Sequence, residues 1–126
     1  MTTRGIRGAI TVENNSIFAI KEATMELLNE IISKNNIKTE DISCAVFTMT
    51  NDLDAAYPAK FARENCDFKY VPMMCYTELN VKNSLKKCLR ILLNINTNKT
   101  QKEINHIYLK GAKKLRQDLN NFDKGN

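Results

Sequence analysis

The sequence predicts an α+β protein with one mixed five-stranded sheet and helices packed on one of its faces. Two patterns lead to this fold class. Runs with an apolar residue at every second position, typical of strands, alternate along the 126-residue chain with stretches of helical period. Several connections between these runs are too short for crossover helices, so the sheet cannot be purely parallel.

The first strand is predicted over residues 4–12, "RGIRGAITV". Ile6, Ile10 and Val12 fall on one face of it, and Arg7 falls on the other. The glycines in this run allow another group to approach the backbone closely.

A helix is predicted next, because the apolar residues change to helical spacing. The stripe consists of Ile17, Ile20, Thr24, Leu27, Leu28 and Ile31. Asn15 or Ser16 is suited to cap its N-terminus, and Asn35 or Asn36 to end it in a left-handed conformation.

Four further strands and a short helix complete the prediction. The apolar run at 42–50 is expected to be central in the sheet and covered on both faces. Pro58 is expected to begin a short helix. A third strand is predicted at 69–76, "KYVPMMCY", and Pro72 within it indicates an edge position or an irregularity. "CLRILLNINT" at 88–97 and "HIYL" at 106–109 are the last two strands. A sheet covered on one face only leaves apolar surface that favours self-association.

Composition and charge exclude several classes of function. The formal charge is +5, but the basic residues are scattered, which argues against a nucleic-acid partner. The N-terminus lacks a signal-peptide pattern, and no apolar run is long enough for a membrane span. We therefore expect a cytoplasmic protein with four reduced cysteines.

Familiar catalytic and metal-binding patterns are missing from the sequence. The cysteines are far apart, there is no CxxC, and His106 is the single histidine, so we expect no zinc site. A nucleophilic role for Cys75 would require an activating neighbour, for which only His106 is available.

Arg90 is the most unusual residue, because it interrupts an apolar strand where an unpaired guanidinium is costly to desolvate. It is either paired with an internal acid or held ready for an anionic ligand. Arg7 is a second isolated charge on a strand, and Glu78 and Tyr108 lie on or just after two others. If these strands are neighbours, the four side chains form a pocket suited to a small dianion that carries a hydroxyl group.

Six segments also resemble a known family, the small trimeric chorismate mutases with a mixed α/β fold. The similarity is carried by "RGIRGA", "TVE", "DLDAAYPAKFARE", "YVPMMC" with Glu78 after it, "KKCLRILL" and "HIYL". It extends from residue 3 to about residue 118. It implies a single domain over 1–118, a flexible tail over 119–126, and three subunits that form a pseudo-α/β-barrel trimer.

The resemblance implies an isomerase that converts chorismate to prephenate on the route to phenylalanine and tyrosine. This reaction is a one-step intramolecular Claisen rearrangement, so it requires no nucleophile, metal or cofactor. The expected partners are therefore the dicarboxylate chorismate and two further copies of the chain, with no nucleic acid and no membrane.

Site residues also carry over from the resemblance by position. Arg90, Glu78 and Arg7 would be catalytic: Arg90 against the ether oxygen, Arg7 on a carboxylate, Glu78 on the ring hydroxyl. The further substrate-binding positions are Met74, Cys75, Tyr76, Thr77, Tyr108, Tyr57, Lys60, Arg63, Leu115 and Arg116. Tyr57, Lys60 and Arg63 would act across a subunit interface. Tyr57 and Met74 depart from the family's usual phenylalanine and small polar residue.

Two alternatives remain at this stage. A trimeric imine deaminase or other small-carboxylate-binding protein of similar fold would also place an arginine at a subunit interface. A non-catalytic RNA-binding protein would use the lysine excess, but it would need exposed aromatic residues interleaved with basic ones, and this pattern is absent from the sequence.

Overall fold

The computed structural model describes residues 1–115 as a five-stranded mixed sheet with two helices on one face. The strands are β1 (Thr2–Thr11), β2 (Ile42–Met49), β3 (Met73–Thr77), β4 (Cys88–Thr97) and β5 (Ile107–Leu109). The helices are α1 (Ile17–Asn35) and α2 (Pro58–Asn65). Short 3₁₀ helices cover Thr39–Asp41, Gln101–Glu103 and Lys110–Lys114. The predicted fold class is confirmed.

The strands lie in the order β3-β2-β4-β1-β5. β4 is antiparallel to both β1 and β2, whereas β5 is parallel to β1 and β3 is parallel to β2. β4 is therefore the central strand. β2 is an interior strand, since it pairs with β4 on one side and with β3 on the other, although it is not the middle one. β3 begins at Met73, after Pro72, and is an edge strand.

One face of the sheet carries the main hydrophobic core beneath α1 and α2. Alternate residues of the strands, such as Ile6, Phe47 and Leu93, are buried against the helices. The opposite face, here called the open face, has no α-helix on it within residues 1–115; only the 3₁₀ helix Lys110–Lys114 covers part of it, where Ala112 packs against Ala9 and Cys88. Val46 and Thr48 of β2 are only half-buried there, so the expected two-sided cover of β2 is missing in the single chain.

Helix α1 begins and ends as its sequence predicts, with one correction to its buried stripe. Ser16 caps the N-terminus by accepting a hydrogen bond from the Ala19 backbone N–H, and Asn36 ends the helix at φ 51°. Ile17 is the first residue of the helix and is 61% exposed. Ala23 is buried in the stripe instead.

No helix in the described part of the chain combines the length and hydrophobicity needed to span a bilayer.

Candidate active site

A cleft of about 350 Å³ opens on the open face above the central strand. Its lining includes five residues that the sequence analysis selected, namely Arg7, Glu78, Arg90, Tyr108 and Leu115. The other lining residues are Gly8, Ala9, Val46, Thr48, Ile91 and Leu92. The walls are thus largely apolar, with a few convergent polar groups, as in most small-molecule sites.

The strand register explains how residues far apart in sequence meet in this cleft. Arg90 pairs with Thr48 on one side and with Ala9 on the other, and Ala9 pairs in turn with Tyr108. Paired residues of neighbouring strands point to the same face of a sheet. Arg90 therefore projects from the centre of a row that runs across the open face.

Arg90 and Glu78 form a close ionic contact, with Arg90 Nε 2.6 Å from Glu78 Oε2. The contact is too poorly aligned to be a hydrogen bond, so the buried Nε–H of Arg90 has no hydrogen-bond acceptor among the described residues. We interpret the pair as a side-on ionic contact and not as a bidentate fork. The Arg90 side chain is 40% exposed and the Glu78 side chain 17%, so the guanidinium is still accessible from the cleft.

Glu78 is positioned through both its backbone and its carboxylate. Its backbone N–H donates to the Met49 carbonyl at 2.8 Å, which continues the pairing of β3 with β2. Its Oε1 accepts a hydrogen bond from Thr48 Oγ1 at 2.7 Å. The carboxylate thus lies between a hydroxyl donor and a guanidinium on two adjacent strands.

A polar network holds the start of β4 just before Arg90. Asp52 accepts hydrogen bonds from the Lys87 backbone N–H and from Thr50 Oγ1, while Thr50 Oγ1 accepts from the Cys88 backbone N–H. Burial acts to raise the pKa of Asp52, but the hydrogen bonds from Thr50 and Lys87 outweigh it, and the pKa is lowered. The ionised carboxylate therefore fastens the strand that carries Arg90.

Arg7 and Tyr108 complete the cleft at the β1–β5 side. Arg7 is exposed, and its guanidinium forms no ion pair within residues 1–115. Its backbone N–H donates to His106 Nδ1 at 2.9 Å, which fixes the end of β5 against β1. Tyr108 packs with Leu115 against a small buried cluster of Ala9, Cys88 and Ala112.

The remaining predicted site residues lie outside this cleft in the single chain. Met74 and Tyr76 face the open side of the edge strand β3 and are exposed, and Thr77 ends that strand. Tyr57, Lys60 and Arg63 are exposed on and before α2. Arg116 lies outside the described residues. The substrate contacts assigned to these positions remain predictions.

Cys75 faces the helix side of β3, where it packs against the main core. Burial raises the pKa of its thiol, which disfavours a thiolate nucleophile. Its one candidate partner, His106, precedes β5 at the opposite edge of the sheet from β3. The structure thus argues against the nucleophilic alternative for Cys75.

Thr48 is the polar cleft residue that the sequence analysis missed. It lies within an apolar run and carries no charge, so it was interpreted only as part of a strand. Its cross-strand pairing with Arg90 is the signal that identifies it, and this pairing is a product of strand order.

The family model of chorismate mutase type I matches residues 3–119 of this chain. The chain belongs to the type I chorismate mutases. The family that the sequence motifs indicated is confirmed, and with it the enzyme class, since a chorismate mutase is an isomerase. The family assignment also decides against the imine deaminase and RNA-binding alternatives.

Individual chorismate mutases match the chain over almost its whole length. Chorismate mutase AroH of Bacillus subtilis is 42% identical over 119 residues, which are 94% of this chain and 94% of that protein. Chorismate mutase AroH of Thermus thermophilus is 42% identical over 117 residues, covering 92% and 95% of the two chains. The solved structure of a chorismate mutase from Clostridium thermocellum superposes with a TM-score of 0.85 at 44% identity, covering 87% of this chain and 97% of that one.

Proposed function

We propose that the cleft around Arg90 rearranges chorismate to prephenate by electrostatic stabilisation and conformer preorganisation, without a cofactor, in phenylalanine and tyrosine biosynthesis. The observation that carries the proposal is the placement of Arg90. It projects from the central strand into a mainly apolar cleft, where its contact with Glu78 leaves part of the guanidinium accessible.

The rearrangement breaks an ether C–O bond while a C–C bond forms within the same molecule. Because bond breaking runs ahead of bond making, negative charge grows on the ether oxygen as the barrier is approached. A fixed guanidinium beside that oxygen binds the transition state more tightly than the substrate, and this raises turnover. The apolar walls strengthen the interaction because they lower the local dielectric.

The second effect is conformational. The substrate is flexible and must fold its side chain over its ring before the new bond can form. Arg7 would grip one carboxylate, Glu78 would accept a hydrogen bond from the ring hydroxyl, and Tyr108 would orient the side chain. Leu115 supplies apolar surface at the rim. Holding the reacting carbons close together in this way lowers the entropic part of the activation barrier and so raises the rate.

The proposal includes a homotrimer with each active site between two subunits. Its support is the open face, on which the apolar residues Val46, Met74 and Leu92 lie side by side in paired strands without an internal cover. Leu92 is 40% exposed and Met74 58%, which is unusual for strand residues of a stable monomer. Association would bury this surface.

In such an assembly the outlying site residues act from the neighbouring subunit. Tyr57, Lys60 and Arg63 would close the cleft across the interface, and the β3 positions Met74, Cys75, Tyr76 and Thr77 would border it. Arg116, which lies outside the described residues, is retained as a proposed substrate-binding residue. The proposed domain of residues 1–118 is supported by the family match over residues 3–119. The tail predicted over 119–126 lies outside the described residues.

A cytoplasmic location is also part of the proposal. Its support is that all four cysteines are free: Cys44, Cys66, Cys75 and Cys88 form no disulfide. Free cysteines are the rule in reducing compartments.

The test is direct. Purified protein is incubated with chorismate, and the loss of the diene absorbance is followed together with the appearance of prephenate. We expect rapid first-order conversion that is unaffected by a chelator and needs no added cofactor. Wild-type protein that converts chorismate no faster than buffer would refute the proposed function.

A further inference from the structure

The side chain of Thr48 is the starting point for an inference about how Arg90 is kept available. Thr48 projects onto the open face from β2, directly beside Arg90 on β4. Its hydroxyl donates to Glu78 Oε1 at 2.7 Å, while Glu78 Oε2 lies 2.6 Å from Arg90 Nε. Glu78 thus links the side chains of Thr48 and Arg90, which are paired residues of neighbouring strands.

Without the hydrogen bond from Thr48, the opposite charges of Glu78 and Arg90 would favour a different arrangement. A carboxylate next to an arginine normally forms two parallel hydrogen bonds with the guanidinium fork. Such a fork would occupy the same N–H groups that a ligand must use. In the observed arrangement the close contact of Glu78 with Arg90 is at Nε, and that contact is misaligned.

The geometry points to Thr48 as a positioning residue that holds Glu78 out of a bidentate pair with Arg90. The hydroxyl holds Oε1 toward β2, so the carboxylate is turned with Oε2 toward the guanidinium. The backbone of Glu78 is held separately by Met49, which restricts the remaining freedom of the carboxylate to its side-chain torsions. The Thr48 hydrogen bond sets those torsions. This inference rests on the proposed function, because it concerns how Arg90 is presented to the substrate.

The consequence for catalysis is specific. Without the hydroxyl, Glu78 rotates toward Arg90 and neutralises it end-on, so the arginine loses contact with the developing charge on the ether oxygen. A loss confined to the transition state lowers kcat more than it changes KM. A purely structural role for Thr48 would instead lower stability and leave the kinetics of the folded fraction unchanged.

The experiment compares Thr48→Val with Thr48→Ser. Valine keeps the shape and removes the donor, and we expect kcat/KM to fall roughly 10- to 100-fold, as is typical for a hydrogen bond to a charged group, mainly through kcat. Serine keeps the donor and should remain within about threefold of wild type. Circular dichroism and the denaturation midpoint verify the fold, and Thr48→Ala repeats the test should the valine variant misfold.

A matched control is available on β1. Thr3 Oγ1 also donates across the sheet to a side-chain oxygen, that of Asn96 at 3.1 Å, but Thr3 does not line the cleft. Thr3→Val should therefore leave both kinetic constants at the wild-type values. An equal loss in Thr3→Val and Thr48→Val would show that the effect is general to strand threonines and would overturn the inference.

A double-mutant cycle with Glu78→Ala tests whether Thr48 acts through Glu78. In that background the hydroxyl has no carboxylate to hold, so Thr48→Val should change kcat less than about twofold. The same loss with and without Glu78 would overturn the proposed role. If wild type converts chorismate and Thr48→Val matches it, the inference fails and the proposed function stands. If wild type itself is inactive, the proposed function fails and takes the inference with it.

Discussion

Arg90 fits both interpretations of an arginine in an apolar strand. An arginine in an apolar strand is either paired internally or reserved for a ligand, and here it contacts Glu78 while keeping 40% of its side chain exposed. The misalignment of that contact leaves the enclosed Nε–H without an acceptor in residues 1–115. An internal pair of this kind fixes the orientation of the guanidinium and still leaves it able to bind an anion.

Removal of the guanidinium should abolish most of the activity. Arg90→Ala should raise the activation barrier by at least about 3–4 kcal/mol, the loss typical of one preorganised oxyanion donor. Arg90→Lys keeps the charge but not the planar fork, and we expect severe impairment as well. Steady-state kinetics on chorismate measure both effects.

Arg4→Ala is the matched control for these substitutions. Arg4 also lies on a strand, but its Nε donates to the Lys99 carbonyl at 3.0 Å, away from the cleft residues. The kcat of the Arg4→Ala variant should equal that of wild type. An Arg90→Lys enzyme with wild-type kcat would contradict the assignment of the planar guanidinium to the transition state.

At the scale of the elements, β1 is the strand on which both the core and the site depend. It pairs with the central strand β4 on one side and with β5 on the other. Its helix-facing residues lie under α1, and its open-face residues Arg7 and Ala9 line the cleft. A substitution that shifts β1 in the sheet is therefore expected to change both the stability of the fold and the activity.

Gly8 is where β1 is packed most tightly against α1. A Cβ at this position would lie 2.6 Å from Ile31 Cδ1, which is shorter than real Cβ contacts, and 3.1 Å from Ile91 Cγ2, which is tighter than most of them. Gly8→Ala should lower the free energy of unfolding by about 1–3 kcal/mol, since the buried methyl groups must be displaced. Chemical denaturation measures the change.

Gly5 provides the comparison on the same strand. A Cβ there would meet Leu92 Cδ1 at 3.5 Å, an ordinary contact distance. Gly5→Ala should leave the unfolding free energy within about 0.5 kcal/mol of wild type, as for a surface substitution. Equal destabilisation by the two alanines would show that β1 tolerates no added methyl group on either face.

His106 should make the stability of the β1–β5 edge depend on pH. Burial lowers its pKa from 6.5, and its Nδ1 must be unprotonated to accept the Arg7 N–H. Between the lowered pKa of folded His106 and the value of 6.5 in the unfolded chain, the unfolded chain therefore binds more protons than the folded one. The free energy of unfolding decreases as the pH falls through this range. Above it the dependence on this group disappears.

The comparison for His106 is His106→Asn, in which a side-chain oxygen can accept the same hydrogen bond without titrating. Urea denaturation between about pH 5 and pH 8 should give a flatter profile for this variant than for wild type. Identical slopes in the two proteins would assign the pH dependence to other groups.

At the scale of the whole molecule, the single chain contains only part of the proposed site. The cleft residues Arg7, Glu78 and Arg90 lie together, whereas Arg63 is exposed on α2 and does not line the cleft. A ring of subunits with a heterologous interface would bring Arg63 of one subunit to the cleft of the next. This arrangement makes a quantitative prediction.

Mixing two inactive variants should restore activity. In random trimers of Arg63→Ala and Arg90→Ala subunits, a site is intact when it takes Arg90 from the first variant and Arg63 from the second. This combination occurs in about one quarter of the interfaces, so co-refolded mixtures should regain about a quarter of wild-type activity. Sedimentation analysis should show three chains per particle.

The control mixture pairs Arg90→Ala with Glu78→Ala. These residues contact each other within one chain, so every site in the mixture lacks one of them. No restoration is expected. Recovery in this mixture, or none in the first, would refute a site shared between subunits as described.

Local patterns in the sequence were sufficient to predict the five strands, the two α-helices and the buried sides of β1 and β4, because periodicity and capping act over a few neighbouring residues. The motifs that indicate the family are local as well. Ile17 was placed in the buried stripe but is exposed, because helical spacing alone does not show which positions find packing partners. The middle position of β4, the place of Thr48 beside Arg90 and the contact of Glu78 with the guanidinium became visible only in the folded chain. Strand order and register arise from contacts between distant segments, and no local pattern encodes them.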